Sequence, residues 1–136
     1  MERAVKILTQ QGHKLTVAPT TGPRVAGEIA REHIGGGADL IVVAGGDGTI
    51  NEAAEGMLGT DVPLAILPGG TANVMAMEMK LGGNMERVAQ RLGQLRPRRI
   101  SVGHVICGEE RVSRHFLLMA GIGLDARIAD HLNAKP

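Results

Sequence analysis

The spacing of apolar residues changes repeatedly along this chain, and each change marks an element. Over Met1 to Gln11, Val5, Ile7 and Leu8 supply the apolar face of a helix, and Gly12 stops it. Lys14 to Ala18 alternates as a strand does. Pro19 to Pro23 reads as a turn that delivers Pro23 near the first position of a helix over about Arg24 to Ile34. That helix turns Val25, Ile29 and Ala30 inward and ends in Gly35-Gly36-Gly37. Ala38 to Ala44 is the strongest strand signal. Its unbroken branched run from Leu40 to Val43 predicts burial on both faces, as in a central parallel strand. A helix over about Ile50 to Leu58, a second buried strand at Leu64 to Leu67, and helices over Thr71 to Lys80 and Met85 to Leu95 complete the alternation.

Strand alternating with helix specifies a three-layer α/β/α domain with a mostly parallel sheet. After Pro97 the pattern changes. Arg99 to Cys107 and Val112 to Ala120 both alternate, and Gly108 to Arg111 joins them as an antiparallel hairpin. A four-residue turn there pairs Ile100 with Met119, Val102 with Leu117 and His104 with His115, the first two as core contacts. The expected organisation is an α/β domain over residues 1–97, followed over 98–136 by the start of an antiparallel β domain, a hairpin plus a short helix.

Composition narrows the function. The chain has 136 residues and 43% apolar content, enough for one domain with a real core. No apolar run approaches the length of a membrane span, and the charged opening is unlike a secretory signal. A net charge of +1 and a single aromatic residue, Phe116, argue against nucleic acid as a partner. The lone Cys107 cannot form an internal disulfide, which fits a reducing cytoplasm, and is expected to be a small core residue. Glycine is the unusual quantity, at 20 residues, gathered at the ends of apolar runs where backbone approaches something closely.

Two of those clusters carry chemistry. Gly45-Gly46-Asp47-Gly48-Thr49 sits at the carboxyl end of the strongest strand and leads into a helix, which is where open α/β sheets bind ligands. Glycines there let main-chain N–H groups face a phosphate, and the helix N-terminus adds a favourable dipole. Asp47 would repel bare phosphate, so its presence points to Mg²⁺, or waters around it, between carboxylate and phosphates. Thr49 suits a helix cap or a phosphate contact, and Asn51 and Glu52, read as first-turn residues, face the same crevice. Alone, the loop reads more readily as a tight turn with Asp47 or Thr49 as an ordinary helix cap. Pro68-Gly69-Gly70-Thr71-Ala72-Asn73 repeats the device after the second buried strand, with Gly70, Thr71 and Asn73 as candidate nucleotide contacts. Two such loops side by side form opposite walls of one nucleotide crevice.

The runs AGGDGTINE (Ala44 to Glu52) and ILPGGTANV (Ile66 to Val74), at this spacing, resemble the catalytic region of the diacylglycerol kinase, sphingosine kinase and bacterial lipid kinase family. The resemblance continues through Arg98-Arg99-Ile100, where that family begins its second domain, to Gly121-Ile122-Gly123-Leu124-Asp125-Ala126. It implies ATP-dependent transfer of the γ-phosphoryl group to a lipid hydroxyl, in a cytoplasmic protein that meets its substrate at the inner membrane surface. By position, Gly45 to Thr49 would hold the ATP phosphates, with Asp47 organising Mg²⁺. Asn51 and Glu52 belong to the same motif, and Thr71 matches a second nucleotide contact. Thr20 is the best match to a further one, with Thr21 close behind. Phosphofructokinases and NAD kinases share the GGDG element. An NAD-kinase-like or other small-molecule kinase, and a non-catalytic nucleotide-binding module, are therefore the alternatives.

Against the family pattern, Val74 stands where many relatives carry Asp. The first strand with its Asn-Pro-x-Ser-Gly loop is expected upstream of Met1. The acceptor pocket, a structural metal site and the general base are expected downstream of Pro136. On that reading the 136 residues alone are inactive, and an exposed hairpin face favours dimerisation. Weaker signals have plain readings. Met75, Met77, Met79 and Met85 read as core packing more readily than as a lipid-tail surface. His104 and His115 lack a third metal ligand, and Arg96, Arg98 and Arg99 read as a solvated linker. Asp125 reads as a helix cap.

Overall fold

A computed structural model describes residues 1–108, 112–121, 123, 126–128 and 131, with Val112 by its backbone alone. The chain divides into two compact units, Met1–Ile100 and Ser101–Pro136, a division three residues beyond Pro97.

The first unit is built on two parallel strands, β1 (Ile41–Gly45) and β2 (Leu64–Pro68), paired from Ile41 opposite Leu64 to Gly45 opposite Pro68. Period-two alternation gives this small sheet two apolar faces. Val42 and Ala44 of β1 and Ala65 and Leu67 of β2 pack with α1 (Glu2–Gln10) and with Val88, Ala89 and Leu92 of α5 (Met85–Arg91) and the 3-10 turn after it (Leu92–Gln94). By alternation, the buried Val43 and Ile66 point the other way. On that side stand α2 (Val25–Gly35) and α3 (Asp47–Gly56), whose buried residues include Ala26, Ala30, Ile50 and Ala53. The result is the three-layer α/β/α arrangement the alternation predicts.

The helix ends follow their residues. Gly12 adopts φ 89°, and the amides of Gly12 and His13 return to the carbonyls of Thr9 and Leu8, closing α1. Gly37, at φ 92°, closes α2 in the same way through Ile34 and His33. Between α2 and α3, Gly27 and Gly56 bring backbone against backbone: a Cβ on Gly27 would lie 2.7 Å from the Glu52 carbonyl oxygen, and one on Gly56 would strike Gly27. Glycine inside these helices is a packing requirement.

Several boundaries differ from the sequence expectations. Lys14 to Ala18 forms no strand. Leu15 packs partly into the α1–α5 core, but Val17 is exposed, and β1 and β2 pair only with each other among the described residues. Alternation prepares a strand; only a neighbour with free N–H and C=O groups makes one. The first residue of α3 is Asp47 rather than Ile50, because Gly46 is already the N-cap. The helix expected from Thr71 shortens to α4 (Val74–Glu78), since Asn73 takes φ 50°, ψ 44° and cannot continue a right-handed helix backward. Helix α2 starts at Val25 with Arg24 as N-cap, so Pro23 lies just outside it.

In the second unit, β3 (Gly103–Cys107) and β4 (Val112–Phe116) pair antiparallel, with His104 opposite His115 in the expected register. The ladder begins at Gly103 and Phe116, so Ile100 and Met119 are not the core pair anticipated; both are exposed. Cys107 is also exposed, contrary to its reading as a core residue, because it ends β3 beside the turn. The His104 and His115 rings stack with centroids 4.3 Å apart, and no group of three or more His, Cys, Asp or Glu residues suits a metal among the described residues. Much of the Gly108–Arg111 turn and Asp125 lie outside the described residues.

Candidate functional site

At the carboxyl ends of β1 and β2 the two glycine loops lie against each other. Parallel pairing carries straight into the loops: after the Gly45–Pro68 pair, the Gly69 amide donates to the Gly45 carbonyl at 3.0 Å. One residue further, Gly46 and Gly70 touch. A Cβ on Gly70 would lie 2.5 Å from the Gly46 Cα, and one on Gly46 would lie 3.3 Å from the Gly70 Cα. The glycines at these two positions are thus required by the contact between the loops, whatever else binds there.

The first loop is short. Gly46 is extended at φ −90°, ψ −179°, and its carbonyl accepts the first intrahelical bond, from Ile50 at 3.1 Å. Asp47, Gly48 and Thr49 are consequently the first turn of α3, and their amides have no partner within the helix. Ile50, fully buried, anchors that turn in the core. Gly48 is exposed, and Thr49 packs its side chain against Gly45.

The second loop is longer and internally tied. The Asn73 side chain accepts from the Gly70 amide at 2.8 Å and donates to the Gly70 carbonyl at 2.7 Å. This bidentate link closes the arch Gly70-Thr71-Ala72-Asn73 and suits the left-handed conformation of Asn73. Thr71 and Ala72 stand exposed at its crest.

Asp47 joins the loops. Its Oδ2 accepts the Val74 amide at 3.0 Å and its Oδ1 accepts the Met75 amide at 2.9 Å, so the first two N–H groups of α4 are satisfied from the other loop. Neither glycine motif by itself points to these partners for Asp47. The signal was available in Val74, whose apolar side chain leaves the start of α4 without a carboxylate of its own.

The expected site residues therefore separate. Gly45, Gly46, Asp47, Gly48, Thr49, Gly70, Thr71 and Asn73 are brought together at one end of the sheet. Asn51 lies four residues after Asp47 on the same face of α3, one turn down, in the second turn rather than the first. Glu52 is rotated about 140° from Asp47 around the helix, and its carbonyl faces α2. Thr20 and Thr21 are exposed ahead of α2, with no hydrogen bond to either loop among the described residues. Of the methionines, Met75 is buried, Met85 joins the core and touches the Gly69 position, and Met77 is exposed. Arg99 pairs with Asp61 at 2.6 Å on the surface, so the basic stretch is partly latched. A hollow of about 530 Å³ is lined by Lys80, Gly82, Asn84, Arg87 and Arg91, and includes no residue of either loop.

Residues 1–105 match the diacylglycerol kinase catalytic domain. The chain belongs to that family. It is 34% identical over 92% of its length to a protein of Cronobacter sakazakii named "Probable lipid kinase YegS-like", of which it spans 42%. It is 33% identical over 71% of its length to "Diacylglycerol kinase" of Mycobacterium tuberculosis, spanning 31% of that protein. Among solved structures, "A putative diacylglycerol kinase from Bacillus anthracis str. Sterne" superposes with a TM-score of 0.70 at 25% identity, over 93% of this chain and 44% of that one. The chain thus spans less than half of these relatives, and its fold is that of the diacylglycerol kinase family.

Proposed function

We propose that this chain forms the nucleotide side of a lipid kinase, in which the γ-phosphoryl group of MgATP passes to a lipid hydroxyl. The observation that carries the reading is the open first turn of α3. The Asp47, Gly48 and Thr49 amides have no intrahelical partner and follow Gly46, which rests against Gly70 of the facing arch, at the carboxyl ends of adjacent parallel strands. Unpartnered amides with a helix dipole behind them favour an anion, and phosphoryl transfer depends mainly on positioning and charge stabilisation. Family membership supplies the acceptor class: a lipid, as in the names of the relatives.

In this reading the first turn of α3 takes the phosphates. Thr49, in the first turn, donates its hydroxyl to them, and Thr71 offers a hydroxyl and an amide from the facing wall. Thr20 remains a candidate contact in the segment before α2. Mg²⁺, when bound, neutralises charge building on the β- and γ-phosphate oxygens. Mg²⁺ commonly keeps several waters and binds through phosphates with few protein ligands. The carboxylate between the loops, Asp47, has each oxygen engaged by a backbone amide, so a metal would be carried by the phosphates and water, with Asp47 reaching it through water.

No helix among the described residues is long and apolar enough to cross a membrane, so lipid would be met at a surface. The reading is tested with the full-length protein, γ-labelled ATP, a panel of lipid acceptors including diacylglycerol, and NAD. Label is expected in a lipid. Transfer to NAD with none to any lipid replaces the lipid acceptor with a nucleotide one, and binding of MgATP without transfer reduces the site to a nucleotide-binding module.

A further inference from the structure

We infer that Asp47 and Asn73 act together as a clasp that sets the second loop, so that Asp47 serves the reaction as a positioning residue rather than as a metal ligand. The inference rests on the nucleotide reading above and assigns a division of labour within it.

The Gly70–Asn73 arch is held from three directions. Behind it, the Gly69 amide bonds to Gly45 and the Gly70 Cα rests on Gly46. Across its base, Asn73 bonds the Gly70 amide and carbonyl together. At its far end, the two Asp47 oxygens hold the Val74 and Met75 amides. Remove either side chain and one foot of the arch is released. Thr71 and Ala72, at the crest, make no hydrogen bond of their own among the described residues, so their position depends on these ties.

This arrangement also answers why an acid sits in a loop that receives phosphates. Two backbone N–H groups delivered to separate oxygens disperse the charge of Asp47, as at an N-cap, and direct it toward α4. The amides at the start of α4 are thereby occupied, while those at the start of α3 stay open. An amide side chain at 47 could not reproduce the geometry, because it offers one acceptor and one donor where two acceptors are needed. A glutamate keeps the charge and the capacity to bind a metal, but carries its oxygens one methylene too far.

The two roles separate experimentally. In the full-length protein, the affinity for MgADP would be measured by calorimetry over a range of free Mg²⁺, for the parent, Asp47→Asn, Asp47→Glu, Asn73→Ala and the Asp47→Asn/Asn73→Ala double variant. Amide hydrogen exchange over residues 70–76 would be followed in parallel, and thermal melting would check folding. The clasp predicts that all three single variants weaken MgADP about tenfold and speed exchange at Val74 and Met75, with the half-saturating Mg²⁺ unchanged. The double variant should be little worse than Asp47→Asn, because the two residues act as one unit. The inference is overturned if Asn73→Ala and Asp47→Glu bind like the parent while Asp47→Asn demands more Mg²⁺. That result makes Asp47 a metal ligand and leaves the nucleotide reading standing. Failure of the parent itself to bind MgADP overturns both. Should Asp47→Asn not fold, amide exchange in the nucleotide-free Asn73→Ala and Asp47→Glu variants decides the matter, since the clasp predicts faster exchange at Val74 and Met75 in both, and a direct metal or nucleotide contact predicts it in neither.

Discussion

The two glycine loops look alike as sequence and differ as structure. Each follows a parallel strand with two glycines and a threonine, yet α3 begins two residues after Gly45 whereas α4 begins six residues after Pro68. The first loop is stiff because a fully buried Ile50 pins the helix that starts in it. The second, with no equivalent anchor before Met75, is tied by side chains: Asn73 within the loop and Asp47 from the other. One loop keeps its helix-start amides open, and the other has them stoppered. A repeated motif on adjacent strands has become one loop with open helix-start amides and one tied arch, and the division follows from where the Asp47 carboxylate points.

The largest effect should come from removing the anchor of the stiff loop. Ile50→Ala empties a fully buried site and is expected to destabilise the fold by about 3 kcal/mol, read as a lowered denaturation midpoint at unchanged slope. Next is Gly70→Ala. Its Cβ would meet the Gly46 Cα at 2.5 Å, backbone against backbone, so the loops must separate. A displacement of that kind should cut kcat/KM of the proposed phosphoryl transfer roughly 100-fold in the full-length protein. Gly46→Ala makes a softer contact at 3.3 Å and should cost less, roughly tenfold. Equal losses for the two alanines would show that the loops move as one body and dissolve the contrast between them.

What the amino-acid sequence disclosed follows the same division. Both parallel strands, their loops and the hairpin register were legible, because each rests on periodicity or on turn length, which are local; the full burial expected of the first strand was not, since β1 is half-buried except at Val43. The start of α3 was not. Gly48 and Asp47 have the composition of a loop, but Gly46 supplies the cap and the buried Ile50 pulls the helix back to Asp47. The strand expected at Lys14 to Ala18 failed for the opposite reason, since its alternation is genuine but a ladder needs a partner. Gly27 and Gly56 drew no notice, as glycine in a helix reads as a weakness until the facing helix is known. The Asp47 bonds to Val74 and Met75 join residues 27 and 28 positions apart, beyond any motif.

The smallest effect offers the sharpest test of what ties the second loop. Its helix, α4, is bracketed by two residues in the left-handed region, Asn73 at φ 50° and Lys80 at φ 56°. Glycine relieves that strain at either position, so backbone conformation alone predicts that both substitutions stabilise. The side chains distinguish them. Among the described residues Lys80 makes only a backbone bond, its amide returning to the Met77 carbonyl at 2.9 Å, and this survives in glycine. Lys80→Gly should therefore raise stability by about 0.5–1 kcal/mol and leave nucleotide affinity alone. Asn73→Gly gains the same relief but loses both bonds to Gly70, so the gain should vanish and affinity should fall. Parallel thermal melts and MgADP titrations of the two variants compare these directly. If Asn73→Gly matched Lys80→Gly in both, the second loop would be shaped by its backbone alone, and the difference between the loops would lie only in where their helices begin.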